Sequence, residues 1–578
     1  MTLHHPALEA GRKASRIPNI WDAAAFGLLF ATFVLFVRGG HETLAPIEAL
    51  SSTPISLDPA NLPEYALRTV LRMLAAIIAS LLFTFVYGTL AAKSRRAGLV
   101  LIPILDILQS VPVLGFLSFT VTGFMALFPG KVIGVELASI FAIFTSQAWN
   151  MTFSFYQSLQ TVPADLEEAS RSFRLTGWQR FWRLEVPFSM PGLVWNTMMS
   201  MSGGWFFVVA SEAISVGNTT ITLPGIGSYT ALAIQNKDFA AIGWAVGVML
   251  AIILIYDQLL FRPLVAWSDK FRVELSAGGE APRSWLLDLV RRARMFRRIF
   301  LPVTRFVSAV PRQRMALPVR APRAALTVWR SAWVDRLWVV AVAAAALYAL
   351  WLIWAFVATE LTGPEILNVV WLGFLTMIRV VVLMALATVV WVPIGVWIGL
   401  RPKVAERVQP LAQFLAAFPA NIIFPFAVVL IVHFKADPNI WLSPLMVFGT
   451  QWYILFNVIA GASAFPNDMR EASSIFRIGG WSWWKKVILP GIFPYYVTGA
   501  ITASGGSWNA SIVAEVANWG DTKLTAVGLG SYIANATTAA DYPRIVLGIA
   551  VMSAYVILFN RLLWRPLYAF AGSRLRMN

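Results

Sequence analysis

The chain runs to 578 residues, of which 58% are hydrophobic and only 13% charged, and its mean hydropathy is +0.68. That balance excludes an ordinary soluble globular protein and calls for a bilayer. There is no cysteine, which excludes disulfides and thiolate metal sites, and the four histidines (His4, His5, His41, His433) are too scattered for a metal cluster. A formal charge of +17 would suit nucleic acid in a soluble protein, but here the basic residues flank apolar runs, so no nucleic-acid partner is expected.

In chain order, Arg12, Lys13 and Arg16 precede an apolar run from Trp21 to Val37 that resembles a secretory signal. No small-x-small cleavage site follows, and the chain continues into Arg38-Gly39-Gly40, so an uncleaved first span is predicted. A span needs about 20 mainly apolar residues. The first half offers candidates near 21–38, 70–92, 99–128, 132–158, 192–215 and 240–262, and the second half near 334–358, 369–400, 406–434, 440–464, 491–516 and 543–564. The fold class predicted is therefore an all-α integral membrane protein of about 12 transmembrane helices in two six-helix halves, with both termini on one side.

Lys93, Arg95 and Arg96, then Arg171, Arg174, Arg180 and Arg183, and finally Arg574 and Arg576 mark that side as the cytoplasm. The stretch between Arg38 and Arg68 carries Glu42, Glu48, Asp58 and Glu64 and no Lys or Arg, which suits the periplasm. From Lys270 to Arg330 the chain is rich in arginine and interrupted by Pro282, Pro302, Pro311, Pro318 and Pro322, and reads as a cytoplasmic tether lying against anionic lipid heads. The divisions expected are 1–63 for the tail, first helix and periplasmic segment, 64–267 for a first core, and 268–332 for the linker. They continue with 333–370 for the seventh helix and a short loop, 371–570 for a second core, and 571–578 for the tail.

The halves repeat. At a shift of 307, Arg72 falls on Arg379, Gly88 on Gly395, Pro103 on Pro410 and Pro112 on Pro419. At a shift of 303, Glu168-Ala169-Ser170 falls on Glu471-Ala472-Ser473, Phe173-Arg174 on Phe476-Arg477, Gly177 on Gly480, Glu212 on Glu515, and Gly225-Ile226-Gly227 on Gly528-Leu529-Gly530. An even number of spans per half makes the repeats parallel, related by an axis along the membrane normal. Some gradient-driven secondary carriers share that symmetry, and such a carrier is the alternative function, although it would want ionisable residues near the midplane.

The cytoplasmic loop between the fourth and fifth spans is the most telling segment. Pro163 and Pro466 suit a first helical turn, Asp165 and Asp468 favour a helix amino end, and Gly177 and Gly480 offer a stop. Leu166, Ala169 and Phe173, like Met469, Ala472 and Phe476, form a narrow apolar stripe on an otherwise charged helix. The stripe could pack back on its own bundle, but its duplication in both loops argues for a repeated partner.

At these residues the chain resembles the permeases of type I importers of the ATP-binding-cassette class, whose loop carries Glu-Ala-Ala, a glycine and, further on, Leu-Pro. Here the third position is Ser170 or Ser473, and Arg174 and Arg477 stand where the glycine is usual. The resemblance is nearest to the nitrate, sulfonate and bicarbonate branch, through Trp205, Glu212 and Gly225-Ile226-Gly227 and through Trp508, Glu515 and Gly528-Leu529-Gly530. It implies the type I permease fold in a fused, duplicated form, two coupling helices that dock two ATPase subunits (a homodimer), and a periplasmic solute-binding protein. The coupling residues it implies are Asp165, Glu168, Ala169, Ser170, Phe173, Arg174 and Gly177, and Asp468, Glu471, Ala472, Ser473, Phe476, Arg477 and Gly480. ATP and Mg would be held by the ATPases, because the chain contains no phosphate-cradling Gly-x-x-x-x-Gly-Lys-Ser/Thr. The echo of a nucleotide-cassette signature at Leu275 to Glu280 reads as linker composition.

Within the spans, Arg72 and Glu212 lie 21 residues from Lys93 and Pro191 respectively, at one predicted depth near the periplasm, about 32 Å along a helix. An ion pair is predicted there and, by repetition, between Arg379 and Glu515, serving either as part of a gate or as a static brace. Asp106 falls on the neutral Gln413, which would make the pathway chemically lopsided. Trp205 and Trp508, flanked by Ser202-Gly203-Gly204 and Ser504-Gly505-Gly506, are further pathway candidates, although small residues also serve helix packing alone.

Overall fold

The computed structural model describes residues 20–41, 54–216, 219–271, 284–302, 305, 309–313, 332–358, 360–463, 465 and 467–574. Chain order in the first half runs α1 (Ile20–His41), α2 (Leu62–Lys93), α3 (Arg95–Ser110), α4 (Val113–Leu127), α5 (Val132–Gln160), α6 (Ala164–Ser172) and α7 (Val186–Glu212), then the hairpin β1 (Ala213–Val216) and β2 (Thr219–Thr222), then α8 (Ile226–Gln235) and α9 (Phe239–Tyr256). The linker contributes α10 (Trp285–Arg292) and α11 (Arg294–Ile299). The second half repeats the plan with α12 (Ala332–Ala358), α13 (Gly363–Gly399), α14 (Pro402–Ala417), α15 (Phe424–His433), α16 (Trp452–Ser463), α17 (Asn467–Ile475) and α18 (Leu489–Ala514). It closes with β3 (Val516–Trp519), β4 (Thr522–Thr525), α19 (Leu529–Thr538), α20 (Tyr542–Phe559) and α21 (Arg565–Arg574).

Seven helices among the described residues are long and apolar enough to cross a membrane, and eight if the bent pair Pro438–Phe448 and Trp452–Ser463 is one span. The expected third span of each half is not a single helix. Before Pro112 and Pro419 the chain leaves the helical region, because a residue preceding proline is pushed towards extended backbone. Val111 accordingly has ψ 126°, and the break separates α3 from α4, as the equivalent break separates α14 from α15. The fifth span of the first half is one 27-residue helix, made less apolar by Asn196, Thr197, Ser200 and Ser202. Nearly all of α12 is exposed, including Leu347, Leu350, Trp351 and Trp354, the all-round apolar surface expected of a helix among acyl chains.

Two compact units divide the chain: Met1–Glu42, Ser154–Trp195 and Leu254–Trp329 in one, and Thr43–Phe153, Asn196–Ile253 and Arg330–Asn578 in the other. In the first unit, the linker is more than a tether where it is described. Leu289 and Ala293 bury against Ala25 of α1, with Leu286 and Phe296 beside them. Asp22, itself buried, accepts a hydrogen bond from the backbone N–H of Phe296 at 2.9 Å, satisfying an otherwise orphaned donor at the start of α11. The Arg292 guanidinium lies over the Trp21 ring at 5.1 Å. The signature echo at 275–280 lies outside the described residues.

In the second unit the halves meet through polar contacts. The Val113 N–H, left open at the start of α4, donates to Asn509 Oδ1 of α18 at 2.7 Å, and the hydroxyls of Ser202 and Tyr453 lie 2.7 Å apart. Lys237 pairs with Asp521 at 3.1 Å, and the Gly520 N–H donates to the Ile234 carbonyl at 3.0 Å.

Sequence periodicity gave no sign of one repeated feature. Short π-helical segments occupy 181–185 and 484–488, just ahead of the fifth spans, and 257–261 and 560–564, where the sixth spans end. Such turns are rare and recur at functional sites.

Candidate functional site

In both cytoplasmic-type loops the predicted short helix is present, as α6 and α17, nine residues each. The stop differs from expectation. It comes not at Gly177 and Gly480 but three residues earlier, where Arg174 and Arg477 both take φ 49°, and the N–H groups of Leu175 and Ile478 return to the carbonyls of Ser170 and Ser473 at 3.1 and 2.9 Å. The arginines thus occupy the left-handed position that glycine usually fills at a helix end, at a cost of about 1–2 kcal/mol each. Gly177 and Gly480 instead open the following four-residue helices.

The apolar stripe is not folded back on the bundle. Phe173 is 79% and Phe476 75% exposed, and Leu166, Ala169, Met469 and Ala472 are also exposed. Asp165, Glu168 and Glu471 face solvent too, while Ser170 and Ser473 are buried, with the Ser170 hydroxyl donating to the Glu167 carbonyl at 2.7 Å. Asp468 lies in α17, and its side chain is outside the described residues.

The buried charges form two related centres in the second unit. Arg72 Nη1 lies 2.7 Å from Glu212 Oε1, and Arg379 Nη1 lies 3.1 Å from Glu515 Oε1. Each glutamate ends its fifth-span helix and is fully buried. Each carboxylate also receives donors from elsewhere: Thr69 at 2.7 Å and the Gly227 N–H at 2.7 Å for Glu212, and Thr376 at 2.8 Å and the Ser531 N–H at 2.9 Å for Glu515. Those backbone donors open α8 and α19, so each carboxylate sits at the positive end of a helix dipole. A Cβ placed on Gly225 or Gly528 would lie 2.3 Å from the carboxylate, so the Gly-x-Gly motifs are there to let the chain pass over the glutamate.

Sequence reading overlooked three members of these centres. Thr69 and Thr376 stand one helical turn before Arg72 and Arg379 and match at the same shift of 307, a signal that was available. Glu136 was also legible as a lone acid inside an apolar span. It grips Arg72 bidentately at 2.6 and 2.7 Å. At the 303 shift its place is taken by Asn439, so the first centre is a triad of one arginine and two glutamates and the second a pair.

Trp205 and Trp508 are buried, Trp508 stacking on Tyr555 at 6.4 Å between centroids. Neither lines the nearby cavity of about 60 Å³, which is walled by Ser202, Phe206, Phe418, Thr450, Tyr453 and Asn509, among others. That volume holds about two waters or one small ion. Tyr453 has no tyrosine counterpart in the first half, where Asn150 stands at the 303 shift, so the chamber is chemically lopsided. Asp106 lies in α3, and its side chain and that of Gln413 are outside the described residues. Among the described residues no three His, Asp or Glu side chains gather as a metal site.

The fold and repeats define a duplicated membrane permease, and comparison with known sequences agrees. Residues 84–267 and 391–564 each match the family described as the binding-protein-dependent transport system inner membrane component, and the chain belongs to that family. It is 29% identical over 192 residues to the bicarbonate transport system permease protein CmpB of Synechococcus elongatus, covering 33% of this chain and 66% of that protein. It is 26% identical over 189 residues to the nitrate import permease protein NrtB of Synechocystis, covering 32% and 65%. To the glycine betaine/proline betaine permease ProW of Escherichia coli it is 32% identical over 186 residues, covering 31% and 49%. The matched segments thus span less than two thirds of each of these relatives.

Proposed function

We propose that the chain is the membrane subunit of an ATP-driven importer, forming the pathway for a small solute and opening alternately as two ATPase subunits close. The observation that carries this reading is the pair of exposed apolar stripes, ending in Phe173 just past α6 and Phe476 just past α17, repeated on two otherwise charged loop helices. A large aromatic exposed at the matching position of both repeats suits the buried anchor of a docking surface. ATP and Mg belong to those partners, the solute arrives on a periplasmic binding protein, and the chain resides in the inner membrane with both termini in the cytoplasm. The solute class is a small anion of the nitrate, sulfonate or bicarbonate kind. This is supported by the bicarbonate and nitrate names of two relatives and by a chamber whose polar groups are hydroxyls and an amide.

Purification of the tagged chain from native membranes tests the proposal. An ATP-hydrolysing subunit should accompany the wild-type chain and be lost with Phe173→Asp and Phe476→Asp together. Reconstituted uptake should need ATP and survive a protonophore. Uptake that a proton gradient drives without ATP would overturn the reading in favour of a secondary carrier.

A further inference from the structure

The two loops share a left-handed turn, at Arg174 and Arg477, but differ in what holds them. In the first, Arg180 pairs with Glu167 of α6 on one side and with Glu185, at 3.1 Å, on the other. Glu185 is only 4% exposed and lies in the π-helical turn that leads into α7, so Arg180 ties the loop helix to the root of the fifth span. Thr176 and Gln179 close a reciprocal capping box at 3.2 and 3.3 Å. The same Gln179 amide, buried, donates through Nε2 to the Arg312 carbonyl of the linker at 3.1 Å.

In the second loop none of this chemistry is available. At the 303 shift Glu167 becomes Arg470, Arg180 becomes Trp483, Glu185 becomes Ile488, Thr176 becomes Gly479 and Gln179 becomes Ser482. The short helix there begins at Gly480, after an N-cap Gly479 that has no side chain to cap it. The contrast arises from five substitutions between copies of one repeat, a divergence not open to two identical copies of one subunit.

We propose that Arg180 is a positioning residue that makes the first loop a pre-set docking site, with the linker joined to the brace through Gln179 and Arg312, while the second loop lacks the side chains of this brace and takes its final shape on the partner. The two ATPase subunits are then held unequally by one chain. The inference rests on the reading of the loops as ATPase docking sites.

The absence of cysteine makes the test direct, since a single nitroxide label can be placed without background. Glu168→Cys and Glu471→Cys, both at exposed positions, are labelled in the full chain without any partner, and their side-chain mobility is read by electron paramagnetic resonance. The label at 168 should be the less mobile. Arg180→Ala should raise it to the mobility at 471, Arg180→Lys should restore part of the restraint, Gln179→Ala should act in the same direction by a smaller amount, and the label at 471 should respond to none of them. Equal mobility in the unmodified background, or no response at 168 to Arg180→Ala, overturns the brace. The second arm measures ATP hydrolysed per solute imported by the whole complex, which Arg180→Ala should raise severalfold while Arg180→Lys recovers part of the loss. An unchanged ratio overturns the positioning role. Loss of the docking reading itself shows differently, as ATPase association that survives Phe173→Asp with Phe476→Asp while the mobility difference persists.

Discussion

Removal of Arg72 is the most informative single perturbation of the membrane core, because the structure makes its cost unequal to that of its repeat partner. Arg72 is 3% exposed and neutralises two carboxylates, Glu136 at 2.6 Å and Glu212 at 2.7 Å. Breaking a buried pair by deleting one member costs about 3–5 kcal/mol, because the remaining charge is stranded. Arg72→Ala strands two. Glu212→Ala is milder, about 1–3 kcal/mol, since Arg72 keeps Glu136 and the Pro224 carbonyl while its Nη1, Thr69 and the Gly227 N–H each lose one acceptor. Arg379→Ala strands only Glu515, which retains Thr376 and the Ser531 N–H, and should cost less than Arg72→Ala by about 1 kcal/mol or more. Reversible unfolding in mixed micelles, followed by tryptophan fluorescence, measures all three and the Arg72→Ala/Glu212→Ala double variant. A double variant less destabilised than the sum of the singles, by about 0.5–3 kcal/mol, is expected. Additivity within about 0.5 kcal/mol, or a costlier Arg379→Ala, would refute the reasoning.

Gly225→Ala and Gly528→Ala should each expel the glutamate beneath them, since the new Cβ would lie 2.3 Å from the carboxylate; a sharp loss of folded protein on size-exclusion chromatography is the readout, and normal yields would show that the loop can shift. Arg174→Gly and Arg477→Gly relieve a φ of 49° and should leave ATPase association intact while slowing proteolysis of the loops, whereas Val at either site should speed it. Glu168 with Glu471, both replaced by Ala, should abolish ATPase association without affecting insertion, because both lie on exposed loop helices. Separate halves divided between 314 and 331 should reassemble transport, while removal of 284–313 should not, because that stretch covers α1 and reaches Gln179.

Much of this architecture was legible because duplication supplied a second witness for each weak signal. The Arg72 and Glu212 depths, the loop stripes and the Gly-x-Gly turns all recur at fixed shifts. What escaped was chemistry without a repeat or a period. Glu136 has no acidic counterpart, and the Glu167–Arg180–Glu185 brace has no copy. The π-turns are repeated but leave no trace in hydrophobic pattern. The broken third spans were readable in principle from Pro112 and Pro419, but a long apolar run concealed the boundary. Assigning the helix stop to Gly177 and Gly480 failed because glycine is merely the cheapest residue for a left-handed turn: Arg174 and Arg477 adopt one three residues earlier, although Gly480 is left-handed as well, at φ 56°.

On the proposed reading, one chain carries two ATPase docking loops. Native mass spectrometry of the complex released from native membranes tests it most directly, by counting ATPase subunits per chain. Two are expected, falling to one when either Phe173→Asp or Phe476→Asp is introduced alone. No ATPase subunit on the wild-type chain, or a count indifferent to both substitutions, would contradict it.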